Sequence, residues 1–223
     1  MKMLKILLIV VLSFAALIAC EENAKIVSNQ DVTENYFSDD SELLKTISSQ
    51  YMLSFEELDE VETANILFMR EEEKLARDVY TLFNEKYNYR IFNNISKSEQ
   101  IHMNAIKVLI DRYQLVDPVG SNDYGVFANT ELSDLYSQLI ALGDESVIEA
   151  LKVGAEIEEI DIIDLETSIN ELTGNTDIKF VFANLKRASG FHLKAFVNVL
   201  KFNGYVYTPK HLDLETFNQI VGN

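Results

Sequence analysis

Acidic and histidine side chains interrupt the apolar stripes of four helical segments, and metal binding is the chemistry that they suggest. A helix packed into a protein core carries apolar residues at positions i, i+3, i+4 and i+7. In each of four segments with this spacing, a side chain able to bind metal takes a place in the stripe. These residues are Glu72, then Glu99 and His102, then Glu158 with Asp161 one turn on, and finally His192.

Carboxylates in an apolar interior are costly unless a cation or a hydrogen-bond donor compensates them. Few basic residues occupy positions from which they could pair with Glu72, Glu99, Glu158 and Asp161. Two divalent metal ions would balance these four negative charges, and the two histidines would act as neutral ligands. A mixed set of carboxylates and imidazoles suits iron or manganese. The alternative that the spacing leaves open is a solvated or water-filled polar core.

Neighbouring polar residues are predicted to have more ordinary roles. His211 is expected to be exposed in the C-terminal tail. Asp78 and Tyr80 are candidates for hydrogen bonds around the site, because metal-binding histidines usually donate their second N–H to such groups. Four further acids are predicted to lie on solvated helix faces: Glu71, Glu73, Glu156 and Glu159.

The elements that must position these residues are helices, since only two prolines interrupt the chain and strand signals are nearly absent. Capping boxes at Ser54 with Glu57 and at Ser96 with Glu99 predict the first two long helices. Ser146 with Glu149 predicts the start of the third. The predicted ranges are 54–87, 96–115, 130–142, 146–172, 177–202 and 213–221. This pattern predicts an all-α four-helix bundle over residues 54–204, with an extra short helix between the second and third long helices and a tail over 205–223.

The N-terminus has the features of an export signal. Lys2 and Lys5 precede an apolar run that is too short for a comfortable membrane span of about 20 residues. The run ends in Leu-Ile-Ala-Cys, which resembles the lipobox of bacterial lipoproteins. We therefore expect residues 1–19 to be a signal peptide and Cys20 to be acylated, with residues 20–53 as an acidic spacer that includes a short helix. An uncleaved anchor is the alternative.

The strongly negative net charge of the chain excludes some classes of binding partner. The formal net charge is −17, and it becomes −19 when cleavage removes two lysines, so nucleic acid is not an expected partner. Anionic lipid head groups would also be repelled, so acyl chains on Cys20 would have to hold the protein at a bacterial membrane. Because Cys20 is the only cysteine, no disulfide is available to stabilise the fold.

Five segments of the chain resemble the ferritin-like superfamily, and within it an uncharacterised bacterial and archaeal family, a domain of unknown function. The segments span about residues 53 to 207 and comprise residues 71–80, 98–103, 125–129, 152–161 and 192–196. The resemblance implies a four-helix bundle around a carboxylate centre that holds two metals, usually iron.

The superfamily pattern combines one glutamate from each of two helices with a Glu-x-x-His pair from each of the other two. By this resemblance, Glu72 and Glu158 match the single glutamates, and Glu99 with His102 matches the first pair.

The second pair of the superfamily pattern is broken, because this sequence has Ser189-x-x-His192. Serine is too short to bridge two metals as glutamate does. We expect Asp161, one turn from Glu158, to supply the missing carboxylate.

The resemblance implies a non-haem di-iron oxidoreductase of the ferroxidase or peroxidase type, acting on O₂, peroxide or ferrous iron with two iron or manganese ions. No cysteine cluster is present, so any electron donor would be external. A homo-oligomer is compatible with the sequence. The alternative, which Ser189 favours, is a lipid-anchored helical interaction or structural protein without redox chemistry.

Overall fold

The computed structural model describes residues 56–222, which form six α-helices and no strand. The predicted signal peptide, Cys20 and the whole of the acidic spacer lie outside the described residues. The helices are α1 (Glu60–Tyr87), α2 (Arg90–Arg112), α3 (Thr130–Gly143), α4 (Val147–Glu171), α5 (Thr176–Phe202) and α6 (Leu214–Val221). Within residues 56–222, none of these helices combines the length and the apolar character that a membrane span needs.

The first helix begins later than the capping signal at Ser54 predicted. Asp59 is its N-cap and accepts a hydrogen bond of 2.7 Å from the backbone N–H of Glu62. The side chain of Glu62 in turn accepts a bond of 3.2 Å from the backbone N–H of Asp59. This reciprocal pair satisfies two donors at the helix start, so α1 begins at Glu60.

The second helix begins at Arg90, six residues before the predicted cap at Ser96. The chain turns at Asn88, whose φ of 47° is a left-handed conformation that asparagine tolerates. Ser96 lies inside the helix and donates to the carbonyl of Asn93 at 3.1 Å. The first turns of α2 are held by apolar burial: Ile91, Phe92 and Ile95.

The later helix starts agree with the sequence. Ser146 caps α4 through a bond of 3.1 Å from the backbone N–H of Glu149, as predicted. Asp213 caps α6 in the same way through Thr216 at 2.9 Å. The short third helix begins at Thr130, also as predicted.

The four long helices enclose a common interior, because α1 packs against α2 and α4, and α5 packs against α4 and α2. Facing helices run antiparallel. Between α1 and α4, Asn65 bonds to Glu171 near one end and Tyr80 bonds to Glu158 near the other. The short helix α3 packs on α1 and α4, and α6 packs on α5. This all-helical arrangement is compatible with the predicted bundle.

Two apolar clusters fill the two ends of this interior. The Phe83 cluster includes Val79 of α1 and Phe196 of α5, and the Phe182 cluster includes Met69 of α1 and Leu185 of α5. The charged stripe residues of the four long helices fall between the two clusters in sequence. The fold therefore places a polar layer midway along the interior, with apolar packing on both sides.

Candidate metal centre

All six predicted ligands are buried: Glu72, Glu99, His102, Glu158, Asp161 and His192. The imidazole rings of His102 and His192 stack with centroids 5.4 Å apart and an interplanar angle of 21°. The four long helices therefore bring side chains that are far apart in sequence into one cluster. The structure also adds one acid that the sequence had placed in solvent.

That acid is Glu73, which completes a first triad with Glu99 and His102. The His102 Nδ1 lies 2.8 Å from Glu99 Oε2 and 3.1 Å from Glu73 Oε2. One ligand atom from each residue lies within 4.8 Å of the other two, a spacing that one metal ion could span. Glu73 is 1% exposed, so the prediction that it lies on a solvated face is wrong.

A second triad combines Glu99, Glu158 and His192. The His192 Nδ1 lies 2.9 Å from Glu99 Oε1 and 3.4 Å from Glu158 Oε2. These ligand atoms also lie within 4.8 Å of one another. The second triad therefore offers two carboxylates and one imidazole, the same donor set as the first.

Glu99 belongs to both triads, with one carboxylate oxygen directed to each histidine. Burial raises the pKa of Glu99, but the charges of His192 and His102 together lower it well below its usual range. Because each oxygen of the ionised Glu99 carboxylate faces a different histidine, Glu99 could serve both triads at once. The geometry thus favours two adjacent cation positions that share one ligand.

The same two carboxylates favour the protonated form of His192. Burial lowers the pKa of His192, but the charges of Glu99 and Glu158 raise it to about 10. The pKa of Glu158 is raised by its own burial and by the charge of Glu99. An imidazolium ion at His192 would offset one of the two carboxylate charges of the second triad, and a metal ion bound by His192 would displace its proton.

Two hydroxyl groups orient the ligands of the second triad. Ser98 Oγ lies 2.9 Å from His192 Nε2, which leaves Nδ1 to face the carboxylates. Tyr80 donates to Glu158 Oε1 at 2.7 Å, so its predicted place beside the site is consistent with the structure. Ser98 was missed, although it directly precedes Glu99. Asp78, the other predicted neighbour, instead accepts bonds from Arg77 and from the backbone N–H of Gly125.

Asp161 faces the serine that replaces the glutamate of the second predicted pair. Ser189 Oγ donates to Asp161 Oδ2 and also contacts the carbonyl of Leu185 at 3.0 Å. Burial and the charge of Glu158 raise the pKa of Asp161 to about 8. Asp161 therefore lies beside Ser189, at the position where the superfamily pattern has a glutamate. It belongs to neither triad.

Glu72 also lies outside both triads, despite its place in the predicted stripe. No N–H or hydroxyl donor among residues 56–222 bonds to its oxygens, and Asp164 is close enough to share a proton with them. Burial, followed by the charges of Asp164 and Asp161, raises its pKa well above the usual value. Consecutive helix residues are separated by about 100°, so Glu72 and Glu73 border the interior from two sides.

Three more acids that were predicted to be solvated are also buried, and each one anchors a connecting segment. Glu71 accepts bonds from the backbone N–H groups of Ala128 and, at 3.0 Å, of Asn129, which attaches the loop before α3 to α1. Glu159 is 0% exposed and accepts a bond of 2.6 Å from Tyr207 Oη. It also accepts three backbone N–H groups of the tail, from Lys210, His211 and Leu212.

Glu156 holds the same tail from the next turn of α4. Its Oε2 lies 2.6 Å from Lys210 Nζ and its Oε1 lies 3.3 Å from His211 Nε2. Burial raises the pKa of Glu156, but the bonds from His211 and Lys210 lower it below the usual value. The prediction that His211 is exposed is therefore wrong, since its ring packs against α4. No local sequence signal reveals this contact, because its partners are about 50 residues apart.

The chain has recognisable relatives. A sequence profile described as an uncharacterized protein domain, DUF2202, matches residues 62–223. An uncharacterized protein of Methanocaldococcus jannaschii, MJ0754, is 45% identical over 181 residues, which is 81% of this chain and 96% of that protein. The crystal structure of hypothetical protein MJ0754 from Methanococcus jannaschii superposes with a TM-score of 0.74 at 46% identity, covering 77% of this chain and 97% of that one.

Proposed function

We propose, from the premise that this chain belongs to the DUF2202 family of uncharacterized protein domains, that it is a ferritin-like protein with a buried two-metal centre. The observation that carries the proposal is the sharing of Glu99 between two triads of carboxylate and imidazole ligands. One shared carboxylate between two compact ligand sets is an arrangement suited to a pair of metal ions.

The donor chemistry of these residues fits iron or manganese. Each triad supplies two carboxylates and one imidazole nitrogen, a combination of oxygen and nitrogen ligands that suits these metals. The carboxylates of Glu73, Glu99 and Glu158, together with Asp161 beside them, would bring four negative charges to balance two divalent ions. An antiparallel arrangement of long helices with an added short helix is compatible with the ferritin-like architecture that we propose.

The protein's own contribution is to hold the ligands and to keep water away. The Phe83 and Phe182 clusters close the interior on both sides of the polar layer. Ser98 fixes the ring of His192, and Tyr80 fixes the carboxylate of Glu158. These bonds hold the ligands of the second triad in place, so that little rearrangement would be needed on metal binding.

Two bound iron or manganese ions would supply the redox chemistry, with O₂, peroxide or ferrous iron as the reacting species. The chain has one cysteine, so electrons for repeated turnover would come from an external donor. We also propose that the protein is exported and anchored to a bacterial membrane by acylation of Cys20. Assembly of identical chains is compatible with this proposal.

The test is the metal content of the purified full chain after incubation with Fe²⁺ or Mn²⁺. We expect two ions per chain, loss of about one ion in His102→Ala or His192→Ala, and loss of both in Glu99→Gln. Asp111→Asn is the matched control, because Asp111 is an exposed acid of α2 that pairs with Lys107. Fe²⁺ oxidation by O₂ should follow metal content. If the wild type binds no more metal than Glu99→Gln, the two-metal proposal is wrong.

A structural role without metal is the second candidate. It is favoured by the direct pairing of Glu99 with both histidines, which neutralises part of the cluster without any cation. Under this alternative, the wild type would bind no metal, and Glu99→Gln would lower stability without changing metal content.

A further inference from the structure

Two buried carboxylates of the polar layer remain without a role in either triad. Glu72 is 5% exposed and Asp161 is 6% exposed. No N–H or hydroxyl donor among the described residues bonds to either oxygen of Glu72 or to Oδ1 of Asp161, and the neighbour close enough to share a proton with Glu72 is Asp164. Buried carboxylates in this condition either stay protonated or bind a cation. Three oxygens of the layer are thus available to a ligand.

The register of α1 against α4 shows where Glu72 lies. Asn65 bonds to Glu171, and Tyr80 bonds to Glu158, so the two helices run antiparallel between these contacts. Counting seven residues forward from Asn65 gives Glu72, and counting seven residues back from Glu171 gives Asp164. Glu72 therefore faces Asp164 across the interface between the two helices.

Asp164, Asp161 and Glu158 form one row along α4, because residues three apart lie on the same face of a helix. Burial increases along this row. Asp164 is half-buried, whereas Asp161 and Glu158 are buried. The row leads from the partly exposed flank of α4 to the second triad, and Glu72 approaches it from α1. The charges of Asp164 and Asp161 are among the causes that raise the pKa of Glu72.

From this geometry we propose a third cation position, formed by the carboxylates of Glu72, Asp161 and Asp164, through which divalent metal reaches the two triads. This inference rests on the proposed two-metal function, since it requires triads that take up metal. The carboxylate oxygens of this third position, which we call the entry site, would bind a hard divalent cation such as Mn²⁺ or Fe²⁺.

The entry site differs from the triads in two respects that suit transit. Its ligands are oxygens only, so it lacks the imidazole that strengthens binding of transition metals. The two triads are the groups of the described residues whose ligand atoms all lie within 4.8 Å, so the entry-site carboxylates must move closer together before their oxygens can surround one cation. A cation held by these oxygens would be bound more weakly and could be passed inward to Glu158.

The experiment compares wild type with Glu72→Gln, using Mn²⁺ alone as the probe and the purified full chain. Gln keeps the shape of the side chain and removes its charge. We expect the wild type to bind two Mn²⁺ ions tightly and a third more weakly. The variant should lose only the weak equivalent, and its two tight sites should fill about tenfold more slowly in stopped-flow mixing. Equal thermal melts of the two proteins without metal would exclude a folding defect.

Glu166→Gln is the matched control, because Glu166 lies on the exposed face of α4 and pairs with Lys186. It should leave the number of ions and the filling rate unchanged. Glu72→Asp, which keeps the charge, should restore part of the filling rate.

Three results would overturn the entry site, and they differ in what they mean for the two-metal centre. If both proteins bind two ions at the same rate and without a third, the entry site is wrong and the two-metal centre stands. If Glu72→Gln loses a tightly bound ion, Glu72 is a ligand of the centre itself. If the wild type binds no Mn²⁺ at all, both proposals fail.

Discussion

At the scale of single residues, the polar layer is governed by the way its acids share protons and charge. Two nearby histidines lower the pKa of Glu99, whereas burial raises the pKa of Asp161 to about 8. The pKa values of acids in the same layer thus shift in opposite directions, because only some of these acids face a cationic partner. Residues that orient the histidines should therefore control metal affinity even though they do not bind the metal.

Ser98→Ala tests this idea. The change removes the hydroxyl that lies 2.9 Å from His192 Nε2 and lets the ring rotate. We expect the affinity of one of the two metal ions to fall about tenfold or more, with the other unchanged. Calorimetric titration with Mn²⁺ would measure both affinities. Ser137→Ala is the control, since Ser137 is exposed on α3 and its hydroxyl donates to the carbonyl of Ser133 in the same helix. An equal loss at both positions would argue against a specific role in orienting His192.

At the scale of helices, α4 carries acidic residues on two faces, and the two faces make different contacts. Glu158 and Asp161 point into the polar layer, whereas Glu156 and Glu159 hold the C-terminal tail. Because the two sets alternate along the same turns, movement of the tail would be transmitted to the helix that carries the second triad. The tail is therefore part of the support of the centre.

Glu159→Gln should release the tail. An amide keeps one acceptor oxygen but turns N–H donors toward the backbone N–H groups that Glu159 now accepts. We expect a loss of about 2 kcal/mol in unfolding free energy, because buried donors are left unsatisfied. The melting temperature should fall by about 5 °C. Amide hydrogen exchange at residues 210–212 should accelerate, and unchanged exchange there would contradict the anchoring role.

The pKa of Glu156 determines how low pH should affect the contact between α4 and the C-terminal tail. Its pKa in the folded protein lies below the ordinary value of 4.5, so its contribution is present above that pH and is lost as the pH falls through the folded pKa. Glu156→Gln should therefore unfold about 1 kcal/mol more easily than wild type at neutral pH. In urea unfolding, this difference should shrink below about pH 4.5. A difference that stays constant with pH would show that the charge of Glu156 is unimportant.

At the scale of the whole molecule, a charged layer between two apolar clusters makes stability depend on whatever neutralises the layer. The carboxylates of the layer come from three helices, and without a cation several of them repel one another. A ligand that binds this layer therefore stabilises the association of the helices themselves.

Removal of metal should accordingly lower the melting temperature of the wild type. A ligand that binds only the folded state stabilises it by about 2.7 kcal/mol at a hundredfold excess over its Kd. Chelation should thus lower the melting temperature by several degrees, measured by calorimetry with and without chelator. Glu99→Gln should show no such response. An unchanged wild-type melt, with metal verified to be absent, would favour the structural role.

The membrane anchor is a separate prediction at this scale, and it concerns residues outside the described range. Cys20→Ser should abolish acylation and the signal cleavage that depends on it. Mass spectrometry of the N-terminal peptide measures both. A wild-type peptide without lipid would contradict the anchor.

The sequence was sufficient to predict most of the helices and the polar layer, because both depend on local spacing. Apolar residues recur at helical intervals, so an acid or histidine in the stripe must point inward whichever helices surround it. Glu99, His102, Glu158 and His192 were identified in this way. Ser146 marked the start of α4 because a capping bond joins residues only three apart.

Only the tertiary structure decided which carboxylates meet. Spacing defines a helix face to within about one residue, so it could not separate Glu72 from Glu73. Contact with His102 selected Glu73 for the first triad, and the register of α1 against α4 places Glu72 opposite Asp164, where we propose the entry site. The burial of Glu156 and Glu159 depends on a tail about 50 residues away. Those acids look like surface residues in the sequence because the groups that compensate their charge are brought to them by folding.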